Sequence, residues 1–163
     1  MEGQPFGDSD VARLDSMTPA LRKHYVDMSC PTFDSASWVV GAPLARRKVA
    51  LISTAGLHRR DDRPFALGAA DYRLIPDGTP SADLVMSHMS TNYDRTGFQQ
   101  DWNVVFPLDR LREMCASGDI GSLARHHYSF MGATDVLALE PQARGLARIM
   151  RDEGVDAALL VPV

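Results

Sequence analysis

The sequence predicts an α/β protein: an open, mostly parallel sheet of the Rossmann-like or flavodoxin-like kind, with helices on its faces. Three observations predict it. Val49-Ala50-Leu51-Ile52 is an unbroken apolar run between Lys48 and Ser53, the pattern of a strand covered on both faces. Two amphipathic helical patterns follow, each stopped by a glycine, Gly118 and Gly154. The second helix leads into a last strand, Val155 to Val163, and strands joined through helices lie parallel.

Taken in order, residues 1–17 are polar, with two glycines and three aspartates, and are expected to be poorly ordered. Thr18-Pro19 supplies an N-cap and a first-turn proline for a short helix reaching about Asp27. Residues 29–47, with isolated Phe33 and Trp38, read as an extended lead-in packed on the main domain. The expected division is therefore 1–47, a polar lead-in with a short helix, and 48–163, an α/β domain. After the first strand, Ala55-Gly56-Leu57-His58 reads as a loop, Tyr72 to Pro76 as a second strand, and Asp83 to Met89 as a third. Pro107 opens a helix whose Leu108, Leu111, Met114 and Cys115 share one face. The last helix is expected from about Pro141 to Glu153, with Ala143, Leu146, Ala147 and Met150 as its apolar stripe.

Composition narrows the function. The chain is 163 residues, enough for one domain, with 45% hydrophobic and 23% charged residues. A net charge of −4 and a pI near 5.7 argue against a nucleic-acid surface. No apolar run approaches the roughly 20 residues that span a bilayer, and the N-terminus lacks the basic and apolar regions of a secretory signal. Two distant cysteines, Cys30 and Cys115, fit a reduced cytoplasmic setting. No glycine-rich phosphate loop occurs, which removes support from kinase, P-loop and common dinucleotide functions.

Three clusters carry candidate chemistry. Ser53-Thr54-Ala55-Gly56-Leu57-His58 ends the first strand, where open α/β sheets place ligands. Ser53, Thr54 and Gly56 are candidates for substrate binding and His58 for proton transfer. A turn glycine beside a partly solvated histidine is the simpler account. In Ser87 to Asp94, His88 and Asp94 are spaced to cooperate, the carboxylate fixing the imidazole tautomer, and Tyr93 stands beside them. A polar loop with a capping aspartate is the alternative. In Arg125 to Gly132, the neighbouring His126 and His127 would face opposite ways on a strand and share no metal. No short metal-ligand spacing is present, and no metal is assigned. Tyr128, Phe130 and Met131 suit a core. Arg144, Arg148 and Arg151 form a basic stripe read as a solvated helix face.

The order of several stretches along one chain adds a resemblance. They are Val49 to His58, His88 with Tyr93-Asp94, Asp101-Trp102-Asn103-Val104-Val105-Phe106-Pro107-Leu108-Asp109-Arg110-Leu111, Gly118 to Gly121, and Tyr128 to Gly132. Over residues 48–163 the chain resembles the glycine/sarcosine/betaine reductase selenoprotein B family, which includes the D-proline reductase selenocysteine subunit. The resemblance implies a substrate-binding, selenol- or thiol-dependent reductase subunit acting on a C–N bond of an amino acid or amine, with a dithiol or thioredoxin-type donor. It implies a partner subunit bearing a pyruvoyl group and an oligomeric assembly. It also implies that a selenocysteine or cysteine pair follows Val163, so that the chain stops short of it, at a UGA codon or as a fragment ending there for another reason, and lacks its C-terminal part. His58, His88 and Asp94 then orient substrate or move protons. An isolated chain of this kind leaves Leu159, Leu160 and Val161 partly uncovered, an association hazard. A non-catalytic α/β module binding a small ligand is the alternative function, and a metal-dependent hydrolase using His58 and His88 is a third.

Overall fold

A computed structural model of the chain describes residues 14–28, 31–32, 38–90 and 95–163. The chain divides into two compact units, Met1–Ala36 and Ser37–Val163. In the first, helix α1 spans Pro19–Val26, and the Thr18 hydroxyl accepts from the Leu21 amide at 3.4 Å. The expected cap and first-turn proline are both in place.

In the second unit, strand β1 (Lys48–Ser53) is the centre of an α/β sheet. β5 (Ser122–Leu123), β6 (His126–Phe130) and β7 (Ala157–Val161) all pair with it in parallel. Strand β3 (Tyr72–Pro76) continues the sheet beyond β6 in the antiparallel sense, with Leu74 opposite Tyr128. The sheet is thus mixed and mostly parallel, as the sequence predicts. No crossover helix lies between β1 and β3, so β3 is free to run the other way.

Alternation along β1 assigns its two faces. Val49 and Leu51 pack with Phe106, Leu108, Leu111 and Ile120 around helix α3 (Leu108–Ser117). Ala50 packs on the other face with Tyr128, Phe130, Leu146 and Met150, beneath helix α4 (Val136–Asp152). Tyr128 meets Tyr72 edge-on at 5.6 Å. Tyr128, Phe130 and Met131 are core residues, as expected. Gly118 ends α3 in the left-handed conformation at φ 84°, leaving the turn free of a Cβ clash.

Five expectations are corrected. Ala55 to His58 is not simply a loop, because Leu57–Arg59 forms strand β2 and pairs antiparallel with β4 (Leu84–Met86) in a separate ribbon. The Asp83–Met89 strand is accordingly shorter and outside the main sheet. Helix α4 begins at Val136, five residues before Pro141, because the Asp135 carboxylate accepts from the Leu137 amide at 3.0 Å and caps it there. Pro141 only removes a bond to Leu137, which is 55% exposed, where water serves instead. Ala143 and Ala147 stay exposed, and Leu146 and Met150 alone carry the buried stripe. Trp38, expected to pack, is 91% exposed.

β7 keeps the apolar exposure anticipated for it. Leu159 and Leu160 are 38% and 67% exposed. On the Leu160 face runs a groove of about 610 Å³ floored by Ile52, Leu146 and Met150.

The sheet's weakest seam is sealed by a side chain. β5 and β6 lie along the same edge of β1 but are interrupted at Ala124-Arg125. At that gap the Leu51 amide donates to His127 Nδ1 at 3.0 Å. The neighbouring histidines do point apart: His127 is fully buried against Phe106, whereas His126 reaches Glu153 at 2.6 Å. Because Nδ1 accepts, the His127 proton sits on Nε2, 3.5 Å from Asp77. Asp77 meets Arg112 of α3, which in turn holds Asp109 at 2.8 Å. Burial pushes the His127 imidazole down to about 4, outweighing the opposing pull of Asp77.

Unfolded histidine binds its proton near pH 6.5. Between about pH 6.5 and 4 the unfolded chain therefore holds the extra proton. Stability from the neutral ring is complete above that window and is lost as pH falls through it, by an amount on the order of 3 kcal/mol. Denaturant melts from pH 7 to 4 will show this loss, and H127N, which keeps an acceptor and removes the titration, will flatten it.

Candidate functional site

The C-terminal ends of the parallel strands converge on one point, and backbone bonds bring them together. The Thr54 amide donates to Val161, and the Gly132 amide donates to the Thr54 carbonyl at 2.8 Å. The Val163 amide donates to Thr54 Oγ1 at 2.8 Å. The β2–β4 ribbon is tied to the same point: Gly56 donates to Phe130, and Ser87 donates to Gly56. Thr54, Gly56, Ser87, His88, Gly132 and Val163 therefore gather around the end of β1.

Two glycines make this approach possible. A Cβ on Gly132 would lie 2.6 Å from the Val163 oxygen and 2.9 Å from the Thr54 oxygen. A Cβ on Gly56 would lie 3.0 Å from the His88 amide nitrogen, and its φ of 65° is one that side chains resist. Gly56 was visible as a candidate. Gly132 ends the Phe130-Met131 run, and a glycine closing a buried strand was its one sequence signal.

His88 is buried, and its Nδ1 accepts from the Ser90 amide at 3.2 Å. The proton is then on Nε2. Burial lowers its pKa, the Val163 backbone works against that, and the Arg95 charge lowers it further. The ring is a neutral N–H donor near pH 7. Arg95 also donates to the His88 carbonyl, which brings a guanidinium to the crevice rim. Sequence reasoning passed over Arg95.

The other expected residues are deployed differently. Ser53 is fully buried and its hydroxyl donates to the Val105 carbonyl at 2.7 Å, below the crevice floor. Thr54 Oγ1 also lies 3.3 Å from the Val163 carbonyl. His58 is buried, with Nδ1 at 2.8 Å from the Arg59 carbonyl and Nε2 at 2.7 Å from Ser87 Oγ. Both its nitrogens are thereby engaged inside the protein, which leaves the hydrolase alternative without His58 as a metal ligand. Tyr93, Asp94 and Cys30 lie outside the described residues. Among the described residues no group of three His, Cys, Asp or Glu side chains is placed to hold a metal ion, and no helix is long and apolar enough to cross a membrane.

The Asp101 to Leu111 stretch serves as a brace. Trp102 Nε1 and Asn103 Nδ2 donate to Asp109 at 2.9 and 3.1 Å, and Asn103 Oδ1 accepts from the Asp109 amide. Burial works against the Asp109 carboxylate, but bonds from Asn103, Trp102 and Arg112 together hold it below the usual range. This knot sets Phe106 in the core and presents the Val105 carbonyl to Ser53.

Fold and site define an α/β protein whose parallel strand ends and β2–β4 ribbon meet at one cluster of backbone and polar groups. Residues 28–163 match the family model described as glycine/sarcosine/betaine reductase selenoprotein B, and the chain belongs to that family. The match begins upstream of the 48–163 stretch that carries the resemblance. The chain is 36% identical over 115 residues to the D-proline reductase subunit gamma of Acetoanaerobium sticklandii, covering 69% of this chain and 47% of that one. It is 28% identical over 124 residues to the sarcosine reductase complex component B subunit beta of Peptoclostridium acidaminophilum, covering 72% and 28%. It is 30% identical over 124 residues to the glycine reductase complex component B subunit gamma of Peptoclostridium litorale, again covering 72% and 28%. The chain spans about half or less of the length of these curated relatives. No solved structure matches it.

The crevice geometry is sensitive to a single methyl. G132A will separate the ends of β1 and β7 and lower stability by about 1–3 kcal/mol. A cooperative melt at the unaltered midpoint would show that the strand ends do not pack as described.

Proposed function

We propose that this chain forms the substrate-binding part of a reductase-complex subunit that cleaves a C–N bond of an amino acid or amine-like substrate. The observation that carries the reading is the convergence of β1, β6, β7 and the β2–β4 ribbon on one crevice, with a neutral His88 and the Arg95 guanidinium at its edge. Membership of the family supports it.

In this reading Arg95 attracts the substrate carboxylate, and His88 Nε2–H donates to substrate or to the departing nitrogen. Reductive cleavage turns C–N into C–H and N–H, consuming two electrons and two protons, and a dithiol supplies both as it closes to a disulfide. A selenocysteine or cysteine pair, which the family resemblance implies beyond Val163, would be held near Thr54 and Gly132 and would supply a nucleophile and an electron relay. A pyruvoyl group on a partner subunit, which the family resemblance implies, would supply activation of the substrate amine. Cys115, half-buried on α3, takes no part.

The test is turnover by the complete complex with glycine, sarcosine, betaine and D-proline in turn, with dithiol oxidation followed in parallel. One substrate will be consumed with one dithiol oxidised per C–N bond cleaved, and H88A will lower kcat/KM roughly 100-fold. Tight binding of an amine with no dithiol oxidation by any complex would instead establish a non-catalytic binding module.

A further inference from the structure

The His58–Ser87 pair has a polarity that its bonds fix. The Arg59 carbonyl is only an acceptor, so the His58 Nδ1 that lies 2.8 Å from it carries the ring proton. With the single ring proton on Nδ1, Nε2 is an acceptor, and the Ser87 hydroxyl 2.7 Å away donates to it. The one hydroxyl hydrogen of Ser87 is used up. Its oxygen keeps lone pairs and has no hydrogen to offer.

The placement of Ser87 gives that oxygen a use. β2 and β4 pair with His58 opposite Val85, so Ser87, two residues on, shares the His58 side of the ribbon. The Ser87 amide is bonded to Gly56, and His88, the next residue, packs against Gly56. Ser87 is half-buried whereas His58 is only 4% exposed. Of the two, Ser87 is the more exposed, and its bond to Gly56 sets it beside the end of β1.

We propose that Ser87 is the ligand-contacting member of this pair, a fixed acceptor for an N–H of the substrate amine, and that His58 is a positioning residue that pins the Ser87 hydroxyl. His58 therefore acts on the ligand only through Ser87. This rests on the reading of the crevice as an amine site. It also separates ligands by chemistry: glycine and sarcosine carry N–H donors, whereas betaine, a quaternary amine, carries none.

Calorimetric titration of the full chain with glycine, sarcosine and betaine tests it. S87A will weaken glycine or sarcosine roughly tenfold and betaine hardly at all. H58N, whose short amide leaves Ser87 unpinned, will reproduce S87A, and H58Q, whose amide oxygen can accept from Ser87, will stay near the wild type. If betaine does not bind, the contrast between H58N and H58Q decides. Equal weakening of all three ligands by S87A, an unchanged affinity for glycine and sarcosine, equal effects of H58N and H58Q, or wild-type binding of betaine alone would overturn the assignment. Failure of the wild type to bind any of the three or D-proline, titrated as a fourth ligand with N–H donors, would instead bring down the amine-site reading, and this inference with it.

Discussion

Everything in the second unit hangs on β1 and on the need to satisfy its buried backbone. Val49, Ala50 and Leu51 have almost no exposed surface, so no amide in that run has water to fall back on. β7 satisfies one edge continuously, from Val49 to Ser53. The other edge is served in two pieces, and the amide left over at Leu51 takes the imidazole of His127. That choice keeps His127 neutral, draws Asp77 and Arg112 toward it, and couples the sheet to α3.

The same strand delivers the site. Where β1 ends, Thr54 receives β7 through its amide and hydroxyl and β6 through its carbonyl. The crevice is therefore assembled from backbone that the core has already fixed. Its side chains are held as firmly: Ser53 by Val105, His88 by Ser90, and Ser87 by His58. A site whose donors and acceptors are set in advance spends little on ordering when a ligand arrives.

The parts of this architecture with local causes were legible in the sequence. The apolar run of β1, the Thr18-Pro19 start of α1 and the glycine after α3 each follow from a few adjacent residues. So does the gathering of backbone at Thr54 and Gly56, which stand where β1 ends. Long-range pairings were not legible. β2 and β4 are three residues each and define one another only on contact. Ser53 and Thr54 are neighbours of equal promise, but alternation sends Ser53 into the core and leaves Thr54 at the end of the strand. His58 was singled out for its ring, yet its two nitrogens belong to Arg59 and Ser87, a fact visible only once the ribbon closes.

The claim that ligand enters at the end of β1 is tested most directly by amide hydrogen exchange with and without a saturating amino acid or amine from the set glycine, sarcosine, betaine and D-proline. Protection is predicted at Thr54 to Leu57, Ser87 to Ser90 and Met131-Gly132, with the remainder of the sheet unaltered. Protection concentrated instead along the α4 groove at Leu146 and Met150, or around Arg59 to Asp61, would contradict it.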